Sequence, residues 1–200
     1  MKDIVSAALV VLCLLFVYIS DGRQQTSVFP NELYGSVPVY TDLVASNTVG
    51  RPGIKRKIKY IVIHETANTN VGSNAANHSK FLQEGGNGAV SWHYTVDDRE
   101  VYHHIPDDEV AWHAGDGRKE NGGNINGIGI ELCVNADGDF EKTLDNGAKL
   151  TAYLLRTYKL GIDAVKQHGD FVSKNCPQHI RDDGRWDEFL TRVSDYLKVM

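Results

Sequence analysis

The sequence predicts a single α/β domain: a central mixed β-sheet flanked by helices, with a metal site at strand ends. Three observations predict it. Two short apolar runs, "YIVI" and "GIGIEL", are rich in β-branched residues and read as strands buried on both faces. Segments with apolar residues at three- and four-residue steps fall between and after them, as amphipathic helices do. The chain has 200 residues, 42% of them hydrophobic, enough for one sizeable core.

The first 23 residues differ in kind from the rest. Ile4 to Ser20 is an apolar run with Lys2 ahead of it and Asp21, Gly22 and Arg23 behind. The run is shorter than the roughly 20 residues of a full membrane span. It reads as a signal peptide or an N-terminal membrane anchor, and the expected location is exported, secreted or anchored at the cell envelope through residues 4–20. Residues 24–37 read as a linker and 38–200 as the folded domain, expected to be monomeric. Net charge is −5, with no dense run of Lys or Arg, so no nucleic-acid partner is expected.

The elements follow in order. Residues up to about 57 form loop and short strand on the domain surface, with three prolines and little periodicity. The strand Tyr60 to Ile63 ends at His64 and Glu65. A helix follows in "GSNAANHSKFLQEGG", with Ser73 as its cap, Phe81 and Leu82 as core, and Gly85 and Gly86 as its stop. "VSWHYTVDDREVYHHI" holds two alternating runs that meet at Asp97 and Asp98, a hairpin with Trp92 and Tyr94 on one strand face. Ile128 to Val134 is a second buried strand. "FEKTLDNGAKLTAYLLRTYKLG" is a long helix with Leu144, Ala148, Thr151, Leu155 and Tyr158 near one face, ended by Gly161. "DAVKQH" is a short strand ending at His168. The closing helix buries Trp186, Phe189, Leu190, Val193 and Leu197.

His64 and His168 thus share a context, each at the carboxyl end of a strand, where ligands of open α/β sheets gather. Cys176 follows His168 by eight residues, across a polar loop. Two imidazoles and a thiolate suit Zn²⁺, with a fourth position left for water. Spacing alone leaves the alternative open: satisfied histidines and an inert buried thiol. Cys176 could also pair with Cys133 in an oxidising compartment, or act with His168 as a nucleophile. Pro177 weakens that last reading, because it offers no N–H for an oxyanion hole. Cys133 reads as a small buried hydrophobe. His93 reads as a hydrogen-bonded core residue and His78 as lying on an exposed helix face, while His103 and His104 point one in and one out.

Seven blocks stand in a telling order: "YIVIHET", "SWHYTVDD", "VYHHIPDDEVAWHAGD", "GIGIELCVN", "DFEKTLDNGAKLTAYLL", "KQHGDF" and "KNCP". In order and spacing they resemble the N-acetylmuramoyl-L-alanine amidases of the second type, whose fold is shared with the peptidoglycan recognition proteins. The resemblance spans about residues 38 to 198. It implies Zn²⁺ held by His64, His168 and Cys176, and hydrolysis in peptidoglycan of the amide between the lactyl group of N-acetylmuramic acid and L-alanine. It implies catalytic roles for Glu131 and Lys174. Both make physical sense. Glu131 interrupts an apolar strand, where a carboxylate without a partner costs roughly several kcal/mol, and it could carry a proton from water to the leaving amine. Lys174 could stabilise an oxyanion. Trp92, Trp112 and His113 are assigned to the substrate groove. Some phage members have a catalytic tyrosine where this chain has Trp92, whose indole has no titratable proton, so that acid/base role is not carried over. Relatives of the same fold without the thiol ligand bind peptidoglycan without cutting it; this chain keeps the full set.

Overall fold

The computed structural model describes residues 32–34, 37–86 and 88–199; the apolar run Ile4 to Ser20 and the rest of the leader lie outside the described residues. One seven-stranded sheet organises the domain. Its strands are β1 (Glu32–Tyr34), β2 (Val37–Thr41), β3 (Tyr60–Glu65), β4 (Tyr94–Val96), β5 (Val101–His103), β6 (Gly127–Leu132) and β7 (Val165–Gln167). Their order is β1-β2-β5-β4-β6-β3-β7. The β4–β5 hairpin and the β1–β2 pair are antiparallel, and β4–β6, β6–β3, β3–β7 and β2–β5 are parallel. The sheet is therefore mixed, as predicted. It opens earlier than the sequence suggests: β1 and Val37 belong to it, inside the stretch read as linker.

Five helices complete the described domain: α1 (Ala75–Gln83), α2 (Gly123–Asn126), α3 (Phe140–Tyr158), α4 (Gln178–Asp182) and α5 (Trp186–Val199). The long helices α3 and α5 cover one face. Ile61 and Ile63 of β3, Ile128, Ile130 and Leu132 of β6, and Tyr94 and Val96 of β4 meet Leu144, Ala148, Leu155, Phe189 and Val193 there. α3 approaches closely because Gly147 has no side chain: a Cβ there would stand 2.6 Å from Leu132 Cδ2. α1 lies on the other side, where Leu82 joins Val44 and Trp92 in a smaller cluster.

Several local readings are corrected. Asn74, not Ser73, caps α1, its side chain accepting from the amide of Asn77. Phe81 is 36% exposed and is not core; at helical spacing it faces a groove that Leu82 turns away from. α3 stops before Gly161, because Lys159 takes the left-handed conformation at φ 55° and Leu160 N–H closes back on Leu155. The second buried strand spans 127–132 rather than 128–134. Trp92 precedes β4, so strand alternation does not reach it. Trp92 lies with Leu82, and Tyr94 sits in the main core, stacked on His103. His93 and His104 are fully buried, as expected, but His103 does not point out: it is partly buried, stacked on Tyr94.

Candidate metal centre and groove

Strand alternation creates the site. In β3 the odd residues Ile61 and Ile63 enter the main core, so Val62 and His64 face the other way. In β6 the pattern Gly-Ile-Gly-Ile-Glu does the same: the isoleucines go to the core and Gly127, Gly129 and Glu131 to the site face. The β3–β6 register pairs His64 with Glu131 and Ile63 with Ile130. β7 runs parallel on the other side of β3, Gln167 opposite Ile63, and delivers His168 at its end. Cys176 returns to the same place because the loop closes on itself, Gly169 N–H donating to the Cys176 carbonyl at 3.0 Å.

The three residues converge. One ligand atom from each of His64, His168 and Cys176 lies within 4.8 Å of the others, and all three residues are buried. The two Nδ1 atoms are 2.9 Å apart, and Cys176 Sγ is 4.0 Å from His64 Nδ1. Cys133 is a free thiol 3.9 Å from the His78 ring, so the bridge to Cys176 is not formed.

The hydrogen bonds behind the cluster fix the tautomer of His64. His113 Nε2 is 3.1 Å from the Gly127 carbonyl, which can only accept, so that nitrogen carries a proton. Burial holds the His113 pKa down to about 3, so the ring is neutral and its Nδ1 is an acceptor. His64 Nε2 lies 2.9 Å from that Nδ1 and must therefore donate. This leaves His64 Nδ1 with a lone pair, aimed at His168 and Cys176. Burial, then the neighbouring His113 and His168, keep His64 well below the ordinary imidazole range. Burial and then Lys174 bring His168 down to about 4. Two neutral imidazoles facing one another with a thiol alongside make a donor set that could hold a cation. The thiol, pushed up to about 12 chiefly by burial, would lose its proton on binding a metal.

Glu131 stands beside the cluster, Oε1 being 3.9 Å from His64 Nδ1. Its other oxygen is buried without a hydrogen-bond partner. Burial pushes its pKa up to about 7 against the pull of Lys174. Glu131 and Lys174 line a groove of about 430 Å³ whose walls come from Thr66, Ala67 and Asn68 after β3, from Asn77, His78 and Phe81 of α1, and from Trp92. Trp92 is pinned there, its indole N–H donating to Thr95 Oγ1 at 2.6 Å.

His64, His168, Cys176, Glu131, Lys174 and Trp92 thus gather at one place. Two assignments do not hold. His113 is only 6% exposed and lies behind His64, not in the groove wall. Trp112 sends its indole N–H to the Val49 carbonyl under the Arg118 guanidinium and does not line the groove. The groove wall from α1 was missed, and His78 is half-buried in it rather than on an exposed face. The signal was Asn77 and Phe81 four residues apart on one helix side, flanking His78.

Comparison with known proteins identifies a family and agrees with the fold. A family model described as N-acetylmuramoyl-L-alanine amidase matches residues 54–179. The chain is 42% identical over 158 residues to the N-acetylmuramoyl-L-alanine amidase CwlH of Bacillus subtilis, covering 79% of this chain and 62% of that one. It is 40% identical over 157 residues to the N-acetylmuramoyl-L-alanine amidase XlyA of the same organism, covering 78% of this chain and 51% of that one. The solved catalytic domain of XlyA superposes with a TM-score of 0.74 at 39% identity, covering 78% of this chain and 99% of the domain. The chain therefore spans about half to three-fifths of the length of these two curated relatives.

Proposed function

The chain belongs to the N-acetylmuramoyl-L-alanine amidase family, and from that premise we propose that it is a zinc-dependent peptidoglycan hydrolase cutting the amide between the N-acetylmuramic acid lactyl group and L-alanine. The observation that carries the reading is the convergence of His64, His168 and Cys176 beside an unpartnered buried carboxylate oxygen of Glu131. Two nitrogens and one sulfur are a borderline-soft set that favours zinc over magnesium or calcium. Bound there, zinc would polarise the scissile carbonyl and ease ionisation of water.

The remaining chemistry belongs to the chain's own groups. Glu131 accepts a proton from the attacking water as the oxygen–carbon bond forms. It then gives that proton to the amide nitrogen as the carbon–nitrogen bond breaks, freeing the lactyl carboxylate and the L-alanine amine. A pKa lifted into the neutral range suits a group that must both take and release a proton. Lys174 places a positive charge in the groove where the carbonyl oxygen gains negative charge. Trp92 and Phe81 offer apolar surface to the substrate, and Asn68 and Asn77 offer amide partners. Export or membrane anchoring through Ile4 to Ser20 would bring the enzyme to this substrate.

Two measurements on one preparation test the reading. The purified chain is expected to hold about one zinc per molecule, the complement of three protein ligands and an open position. Digested cell wall should gain L-alanine amino groups without new reducing sugar ends. A metal-free preparation of full activity would overturn zinc dependence, and reducing ends without amines would mean a glycosidase. Bound peptidoglycan without turnover would mean a binding module.

His113 gives a separate expectation. Its acceptor nitrogen selects the His64 tautomer, so His113→Phe should weaken zinc binding by roughly 10–100-fold, the usual cost of losing such a partner. Competition with a chromophoric chelator measures it, and unchanged affinity would show that His64 finds its tautomer unaided.

A further inference from the structure

We propose, resting on the metal reading above, that Glu65 is a positioning residue that holds Cys176 at its place in the zinc site. β3 ends in His64 and Glu65, neighbours in sequence whose side chains leave on opposite faces. The Glu65 side chain is 2% exposed. A carboxylate that deeply buried is costly unless donors surround it. Three do. Oε2 accepts from the His179 amide at 2.9 Å and from His179 Nδ1 at 2.7 Å, and Oε1 accepts from the Ile180 amide at 3.0 Å.

His179 and Ile180 are the second and third residues of α4, whose amides have no partner inside the helix. Pro177, at the cap position, supplies no side-chain bond. The cap comes instead from a residue 114 positions earlier in the chain. α4 starts two residues after Cys176, so fixing its first turn fixes the thiol.

Cys176 Sγ also meets β3 directly, at the Glu65 main chain and 4.0 Å from His64 Nδ1, but the other ties of its own main chain are local. Gly169 N–H to Cys176 carbonyl, Cys176 N–H to Lys174 carbonyl and Asn175 Nδ2 to Asp182 shape the segment without setting its distance from β3. Among the described residues, the hydrogen bonds from β3 to 177–182 all end on the Glu65 carboxylate. His168 has an independent anchor, since β7 pairs directly with β3. The metal site is thus held from two sides. Sheet pairing places the histidines, and a charged clamp places the thiolate.

The clamp makes an asymmetric prediction about the ligands. Without it, the histidines should still bind metal and the thiolate contact should suffer. Glu65→Ala and Glu65→Gln are compared with the parent chain by chelator competition for zinc and by the absorption of the cobalt(II)-loaded protein. Glu65→Ala is expected to weaken zinc by roughly 10–100-fold. At saturating cobalt, its sulfur-to-metal charge-transfer band should fall while the visible ligand-field bands persist. Glu65→Gln, which keeps one carbonyl oxygen for the amides, should fall between. Full zinc affinity with an undiminished charge-transfer band in Glu65→Ala would overturn the proposal. If circular dichroism shows that Glu65→Ala does not fold, Glu65→Gln decides by the same two readings. A loss of zinc with the thiolate band intact at saturation would make Glu65 a general support and also overturn it. A parent chain that takes up neither metal would overturn the metal reading itself, a result distinct from the failure of the clamp.

Discussion

Cys176→Ser is expected to strip zinc from the protein and abolish turnover, the largest effect of any single change at the site. Cys176 is the sole soft donor among the three converging residues. A serine hydroxyl is harder and far less acidic, so it makes a poor zinc ligand in its neutral form. The two histidines would remain, their Nδ1 atoms 2.9 Å apart, but two ligands fall short of the three that an open zinc site needs. Zinc should fall from about one per chain to near zero after dialysis. The fold should survive, because the core around α3 and α5 contains none of these groups. Circular dichroism and metal analysis on the same sample check both halves. Zinc and activity retained together would return Cys176 to the status of a buried apolar side chain.

Glu131→Gln is expected to separate metal binding from chemistry. The carboxylate lies 3.9 Å from His64 Nδ1 and is not one of the three converging donors. Its amide replacement keeps the shape and loses the proton-carrying capacity. Zinc should stay at about one per chain while kcat falls by roughly 10²–10⁴-fold, the usual size of a general acid–base contribution. Burial strengthens the expectation that zinc is kept, since a neutral amide is easier to hold in that position than a charge. Loss of zinc in this variant would make Glu131 a ligand or a support for one.

Much of this was legible in the chain because the sheet uses simple alternation. "YIVIHE" and "GIGIEL" announce buried strands, and the residues that break their apolar run, His64 and Glu131, are the ones that face the site. His168 and Cys176 were legible as a pair eight residues apart. His113 was misread because loop residues carry no periodicity, and its partner is 49 positions away. A trace of it was nevertheless present in β6. Gly129 lies on the site face between isoleucines that face the core, and a Cβ there would stand 2.6 Å from the His113 ring. A small residue in a strand can mark the footprint of something packed on it. Glu65 was passed over for a different reason. A carboxylate at a strand end looks solvated until a short helix with no local cap, itself invisible to periodicity at five residues, folds over it.

The long reach of the His64 contacts bears on the order of assembly. His64 meets His168 across 104 residues of chain and Cys176 across 112. Small zinc modules bring their ligands together within short loops, and the ion can nucleate them. Here no early, local collapse can present the three donors at once, because β3, β6 and β7 must first find their neighbours over long loops. A one-residue slip of β3 against β6 would turn His64 into the core and leave Glu131 facing the groove alone. On the proposed metal reading, tight uptake would be a late event in folding and a proofreading signal: only a chain whose distant strands had met in the right register would retain the ion.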